Sequence, residues 1–272
     1  MTPEQILTAA GVRGFLHVRR VDGHGTDAGS GIDEPVVLSS VVKVLLVLEF
    51  ARQAAAGQLD PRDRVRARAA DRLGGAGSAG FADDVEYSLR DAARLALSVS
   101  DNTAADLLFD RVGVENVRSL ATELGLVRTR IFGAPREVLG TILDDGAAGR
   151  PLRALDPAHT SASTPREMTE LLSLIWRDEA GPPAACARVR DLMGRQVNWY
   201  RLTAGFPAEV AVAGKTGTMP GLRNEIGVAS YPDGTDYAIA VFTRGGSENL
   251  REPAIDRAIG EAARAAVEQL RA

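Results

Sequence analysis

Segments predicted to be β-strands, bounded by turn residues, stand near both ends of this chain, and most of the length between them has the three- and four-residue apolar spacing of helices. A strand needs a hydrogen-bonded neighbour, and the economical fold lets the strands of the two ends supply one another. We therefore expect an α/β fold with two lobes: a mixed α/β lobe, whose antiparallel sheet comes from both chain ends and carries the terminal helices, and an all-helical lobe. Residues 1–38 and 205–272 would form the first lobe and residues 39–204 the second, together as one domain.

The individual elements follow from apolar spacing and turn residues. Ser39 and Ser40 are expected to cap a helix that Gly57 stops. The segment 131–164 is rich in Gly, Pro, Asp and Arg, and a connection of that length is usually functional or mobile. Predicted helices cover residues 3–10, 89–98, 102–111, 114–124, 165–176 and 251–271, and predicted strands cover residues 14–20, 209–213, 225–230 and 237–243.

Composition argues against several classes of function. The net charge of −4 argues weakly against a nucleic-acid surface, which is usually strongly basic. The one cysteine, Cys186, excludes an intrachain disulfide, and no His-x-x-x-His or Cys-x-x-Cys spacing points to a metal. No segment approaches the ~20 apolar residues that span a bilayer. We expect a monomer that uses no cofactor, metal, nucleic acid or membrane, in the cytoplasm as the sequence stands and secreted if an export signal has been removed.

The first candidate site is Ser40-Val41-Val42-Lys43. On a helix, residues three apart share a face, so the lysine amine can approach the serine hydroxyl. A neutral lysine could then take the proton of a serine that is otherwise a poor nucleophile. Ser40 would also stand at a helix N-terminus, where free N–H groups favour negative charge. By itself this pair fits a capping serine and a solvated lysine at least as well.

Two more polar groups follow along the chain. Ser100-Asp101-Asn102 stands between two predicted helices, where it could cap the second helix or could relay a proton and bind a substrate carbonyl. The segment 215–218, Lys-Thr-Gly-Thr, stands at the end of the predicted strand 209–213. Its lysine and hydroxyl suit an anionic group, and its glycine would let a substrate backbone come close. Each segment alone is also explained by ordinary turns.

In this order, Ser-x-x-Lys, Ser-Asp-Asn and Lys-Thr-Gly match the motif set of class A β-lactamases and penicillin-binding proteins. The chain resembles that serine hydrolase superfamily, and class A most closely, over nearly its whole length. The resemblance implies a two-lobed fold with an active site between the lobes and no cofactor. It implies that Ser40 is acylated, that Lys43 and Ser100 move protons, and that Asn102 binds the substrate amide. It further implies that Lys215, Thr216 and Gly217 hold the substrate, and that the N–H groups of Ser40 and Thr218 form the oxyanion hole.

One part of the motif set departs from class A. There, a glutamate followed by Leu-Asn activates the water that releases the acyl group. When Leu139 is aligned with that leucine, Arg136 takes the glutamate position, Glu137 stands one place late and Gly140 replaces the asparagine. Glu137 is therefore either the deacylating base in a shifted loop or a surface residue beside Arg136. Asp144 and Asp145 are less favoured substitutes. Asn224 stands where class A enzymes often have an arginine for the substrate carboxylate, and the adjacent Arg223 could serve instead.

The function expected from these residues is serine hydrolysis through an acyl-enzyme on Ser40, with β-lactam hydrolysis as the first interpretation and a small-molecule acyl donor as the partner. Slow deacylation, in a penicillin-binding relative or a sensor, is the alternative that Arg136 and Gly140 permit. An amidase, esterase or acyltransferase for another substrate also remains open. A Ser-His-Asp triad is less favoured, because His17, His24 and His159 accompany no Gly-x-Ser-x-Gly motif.

Overall fold

The computed structural model describes residues 1–245, 249 and 251–272. Its strands are β1 (Arg13–Arg20), β2 (Ala28–Ser30), β3 (Val36–Val37), β4 (Arg64–Ala67), β5 (Val85–Ser88), β6 (Ala162–Ser163), β7 (Ala211–Met219), β8 (Leu222–Ser230) and β9 (Asp236–Arg244). Its α-helices are α1 (Pro3–Ala9), α2 (Lys43–Ala55), α3 (Leu89–Ser98), α4 (Asn102–Val112), α5 (Val114–Glu123), α6 (Pro135–Ala147), α7 (Pro165–Trp176), α8 (Pro183–Gly194), α9 (Leu202–Gly205) and α10 (Pro253–Arg271). Four short 3-10 turns accompany them in this part of the chain.

Five strands from the two ends of the chain form one antiparallel sheet in the order β2-β1-β9-β8-β7. The central strand β9 shows why helices cover both faces. Ala238, Ala240 and Phe242 belong to the apolar cluster that includes α2 and α7, whereas Ile239 and Val241 belong to the cluster formed with α1 and α10. Successive side chains of a strand point to opposite faces, so a strand that is apolar on both sides must be buried on both. The predicted α/β fold class is confirmed.

Helix α2 is the centre of the helical part. Its run Val44–Leu48 is apolar at every position, and all five side chains are buried. A helix that is apolar on all sides has to be enclosed, and α2 contacts α3, α4, α5 and α8. This enclosure fixes the direction of α2, whose first residue is Lys43 of the Ser-x-x-Lys motif. None of the helices in the described part of the chain is long and apolar enough to cross a membrane.

Several local predictions were wrong. The middle of the chain is not purely helical, because β4 pairs with β5 and β3 pairs with β6. The segment 131–164 is not an irregular connection, since it contains the 13-residue helix α6. The sequence contained two signals for the start of this helix. Pro135 occupies the first helical position, and Glu137 occupies the third, where its carboxylate accepts a hydrogen bond from the backbone N–H of Ala134. The division into residues 1–38 with 205–272 and 39–204 stays a prediction.

Candidate active site

Ser40 stands in a 3-10 turn, Ser39–Val42, that leads into α2. Ser39 has a φ of +50°, a left-handed conformation that costs a serine about 1 kcal/mol or more and that is common at functional sites. The turn has no side-chain cap, so the predicted capping role of Ser39 and Ser40 is wrong. The Ser39 hydroxyl instead donates to the carbonyl oxygen of Thr218 at 3.2 Å. This bond ties the start of the helix to strand β7.

Lys43 is fully enclosed and its ammonium contacts the Ser-Asp-Asn motif. Nζ donates to the carbonyl oxygen of Ser100 at 2.8 Å and to Oδ1 of Asn102 at 2.8 Å. Burial lowers the pKa of Lys43 to about 7, although the carboxylates of Asp101 and Asp106 act in the opposite direction. An amine with that pKa is partly neutral at neutral pH. Lys43 can therefore accept a proton from a hydroxyl, as a base must.

The Ser-Asp-Asn motif forms the boundary between α3 and α4, as predicted. Asp101 caps α4 by accepting from the N–H of Ala104 at 3.0 Å. Its other oxygen accepts from the N–H and the hydroxyl of Ser78 at 2.6 and 2.8 Å, which anchors the glycine-rich loop 74–80. Ser100 has a φ of +61°, a second strained serine beside Lys43. The motif thus holds Ser100 and Asn102 against the lysine.

The Lys-Thr-Gly motif lies in the middle of β7 rather than at a strand end, so that prediction was wrong. Lys215 and Thr216 are buried, and Lys215 Nζ donates to the carbonyl oxygen of Thr216 at 2.8 Å. Burial lowers the pKa of Lys215 well below its usual value, and the charge of Lys43 acts in the same direction. β7 is an edge strand of the five-stranded sheet.

Gly217 has a packing reason that the sequence did not reveal. A Cβ on Gly217 would stand 2.7 Å from the carbonyl oxygen of Leu38 and 3.3 Å from Cβ of Ser39. The missing side chain therefore lets β7 approach the turn that carries Ser40. The prediction that Gly217 makes space for a substrate backbone remains untested, but the space on its Cβ side is filled by the protein itself.

A loop of residues 196–202 supports the outer edge of β7. Gln196 Oε1 accepts from the N–H of Thr216 at 2.8 Å, and Asn198 Nδ2 donates to the Thr216 hydroxyl at 2.9 Å. Gln196 Nε2 in turn donates to Glu225 at 2.7 Å, and the second oxygen of Glu225 accepts from the N–H of Leu202 at 2.8 Å. Burial raises the pKa of Glu225. These residues orient the N–H and the hydroxyl of Thr216, and the sequence contained no motif that identified them.

Arg201 is a second residue that the sequence did not reveal. Its Nη2 donates to the hydroxyl of Thr218 at 2.8 Å, its Nη1 donates to the carbonyl oxygen of Asn224 at 2.7 Å, and its Nε pairs with Asp256 at 2.7 Å. Arg223, the arginine suggested for the substrate carboxylate, pairs with the same Asp256 at 2.8 Å and does not line the cavity at Ser40. Arg201 therefore contacts Thr218, whose N–H is predicted to form part of the oxyanion hole.

Glu137 does not line the cavity at Ser40. Its carboxylate accepts from the N–H of Ala134, and the side chain is exposed. Arg136 also points elsewhere: its Nη2 donates to Asp110 at 2.8 Å, and its backbone N–H donates to Asp106 at 3.1 Å. The structure therefore brings neither residue to Ser40.

Two further carboxylates, Asp106 and Asp145, have pKa values shifted in opposite directions. Burial raises the pKa of Asp106 to about 6, and sequence reasoning did not single this residue out. Asp145 instead binds Arg153 and Arg150, and the hydrogen bond from Arg153 lowers the pKa of Asp145 to about 2. A carboxylate with so low a pKa is a weak base. Asp145 is thus a structural anchor of the segment after α6.

The predicted residues meet at one cavity with a volume of about 150 Å³. Ser40, Lys43, Asn102 and Thr218 line it, whereas Ser100, Lys215, Thr216 and Gly217 do not. In the described part of the chain no hydrogen bond joins Ser40 to Lys43, and catalytic bonds are often loose before a substrate binds. The remaining lining residues are Ser39, Val42, Leu73, Gly133, Pro135, Val138, Leu139, Ile142, Thr160, Ser161 and Met219. No group of three metal-binding side chains is found among the residues described.

This chain is similar in sequence and in fold to known β-lactamases, and in sequence to a related regulatory protein. The sequence matches the model of the β-lactamase enzyme family over residues 4–270. The β-lactamase regulatory protein BlaB of Streptomyces cacaoi is 27% identical over 280 residues, which cover 91% of this chain and 89% of BlaB. A β-lactamase of Mycobacterium tuberculosis is 32% identical over 163 residues, 58% of this chain and 50% of that protein. The crystal structure of a β-lactamase from Sphaerobacter thermophilus matches with a TM-score of 0.81 at 25% identity, over 98% of this chain and 96% of that one.

Proposed function

This chain belongs to the β-lactamase enzyme family, and from that premise we propose that Ser40 is acylated by a β-lactam or a peptide-like acyl donor and releases the acyl group slowly. The observation that carries the proposal is the enclosed Lys43 ammonium with a pKa of about 7, in one cavity with Ser40. The partner is a small molecule.

The acylation step uses residues of the three motifs. Neutral Lys43 accepts the hydroxyl proton of Ser40 while the oxygen attacks the carbonyl carbon of the donor. The negative charge on the carbonyl oxygen is held by the N–H groups of Ser40 and Thr218, a contribution of about 3 kcal/mol for each donor in other hydrolases. The C–N bond then breaks, and the proton held by Lys43 reaches the leaving nitrogen through the Ser100 hydroxyl. The carboxylate of the donor binds Lys215 and Thr216.

The release of the acyl group from Ser40 differs from that in class A enzymes. In class A enzymes a glutamate activates the water, and here Glu137 caps α6 while Arg136 binds Asp110. The cavity lining described above contains no carboxylate to activate a water molecule. Rapid β-lactam hydrolysis is therefore the less favoured outcome. The name of BlaB, a regulatory protein, fits a slowly released acyl group, because a long-lived acyl-enzyme can serve as a signal.

Labelling with a fluorescent penicillin tests the nucleophile. We expect covalent labelling of the wild-type protein on the peptide that contains Ser40, and no labelling of Ser40→Ala. Ser119→Ala is the control, because it removes an exposed hydroxyl on α5 and leaves the turn of Ser40 unchanged; it should still be labelled. Labelling that survives in Ser40→Ala would refute the proposal.

A further inference from the structure

The cavity at Ser40 has one wall without polar groups. Helix α6 contributes Val138, Leu139 and Ile142 to it, which stand on one side of the helix at positions i, i+1 and i+4. Val138 and Ile142 pack against an apolar cluster that contains Met219, at the end of β7. This packing fixes the wall before any ligand arrives.

The chemistry of the lining restricts what can lie against this wall. Among the lining residues, all of which belong to the described chain, Lys43 is the only ionisable one. A charged group placed against α6 would lose its hydration and find no partner there. The whole cavity, which also contains the polar side chains around Ser40, has a volume of about 150 Å³, so a group lying against the wall can be no larger than about one ring.

We propose that Val138, Leu139 and Ile142 form a binding site for an apolar, ring-sized substituent on the acyl group of the donor. The protein then selects donors with aryl or branched alkyl acyl groups over donors whose acyl group is charged or unsubstituted. This selection rests on the proposed acylation of Ser40. It also gives α6 a role in recognition at the place where the resemblance to class A implies water activation.

Three penicillins that share one reactive ring test the selection in the wild-type protein. Benzylpenicillin carries a phenylacetyl group, carbenicillin carries the same group with an added carboxylate, and 6-aminopenicillanic acid carries no acyl side chain. The rate of acylation is followed by intact mass. We expect benzylpenicillin to react at least about tenfold faster than either of the others, because the ring buries apolar area against α6 and the carboxylate does not.

Two neighbouring positions of α6 provide a matched pair of variants. Ile142→Asn places an amide in the wall and should reduce the preference for benzylpenicillin to less than half of the wild-type ratio. Leu143→Asn changes the next residue, which is 63% exposed and outside the cavity, and should keep the ratio. Val138→Thr adds a hydroxyl at nearly constant volume and should lower the ratio as well, which keeps the test valid if Ile142→Asn does not fold.

The outcomes separate the selection from the acylation itself. Equal acylation rates for the three penicillins in the wild-type protein overturn the apolar site and leave the acylation of Ser40 intact. An unchanged ratio in folded Ile142→Asn and Val138→Thr likewise overturns the assignment to α6. No adduct with any of the three overturns the proposed function, and the apolar site with it.

Discussion

Lys43 Nζ donates to the carbonyl oxygen of Ser100 at 2.8 Å, across 57 positions of the sequence. This bond holds the predicted base of one motif against the predicted proton relay of the next. Because burial lowers the pKa of Lys43 to about 7, the neutral form increases as the pH rises through that value. We expect the rate of acylation to rise with pH along a limb centred near pH 7. The range from pH 5.5 to 8.5 extends about 1.5 units on either side of that pKa. A rate of acylation that is flat across this range would contradict the role of Lys43 as the base.

Asp106 should tune that pH dependence. Its charge raises the pKa of Lys43, and burial raises the pKa of Asp106 itself to about 6, so the carboxylate is largely ionised near pH 7. Asp106→Asn removes this charge and should move the rising limb to lower pH by up to about one unit. Asp110→Asn is the control, since Asp110 binds the same Arg136 but lies exposed at the surface. A limb that moves to higher pH in Asp106→Asn would contradict the assignment.

Gly217 should be essential for the approach of β7 to the turn of Ser40. In Gly217→Ala the new methyl group would meet the carbonyl oxygen of Leu38 at 2.7 Å, and backbone atoms cannot yield without moving the strand. We expect acylation to slow by up to about a hundredfold, because a displacement of about 1 Å near a reaction centre has that effect. Gly146→Ala, a helical site with no atom within 4 Å of the added methyl group, should keep the wild-type rate. Equal rates in both variants would argue against this close contact.

Asp256 should carry a large part of the stability behind β7. Its carboxylate pairs with Arg201 and Arg223, whose side chains are 0% and 6% exposed. Asp256→Asn removes the negative charge that compensates these two buried guanidinium groups. It should therefore lower the free energy of unfolding by roughly 3–5 kcal/mol. Glu268→Gln removes a carboxylate from the exposed partner Arg264 and should have little effect on urea unfolding. Similar losses of unfolding free energy in the two variants would contradict the conclusion that the buried ion pairs of Asp256 stabilise the protein more than the exposed pair of Glu268.

The sequence was sufficient for the features whose signal is local. The apolar run of α2, the apolar run of β9 and the three motifs are each readable within about ten residues. Ser-x-x-Lys, Ser-Asp-Asn and the segment 215–218 each contribute at least one residue to the lining of the same cavity. The proton relay and the anion-binding roles are predictions that still rest on the resemblance.

The rest depends on pairings that a single sequence does not display. Glu225 supports Thr216 only because β8 lies beside β7 in one register, and Arg201 reaches Thr218 from a loop before the strand. Helix α6 was missed for a different reason. The abundance of Gly, Pro and Asp outweighed the apolar residues at 138 and 142, which have helical spacing.

The intact mass of the protein during incubation with benzylpenicillin tests acylation and slow release together. We expect a gain of one benzylpenicillin that persists after the free antibiotic is removed, and no gain in Ser40→Ala. Glu137→Gln should gain and keep the same adduct, because the Glu137 carboxylate caps α6 instead of facing the cavity. An adduct that decays rapidly in the wild-type protein and persists only in Glu137→Gln would contradict slow release and would make Glu137 the deacylating base. A wild-type protein whose mass never changes would contradict the acylation of Ser40 itself.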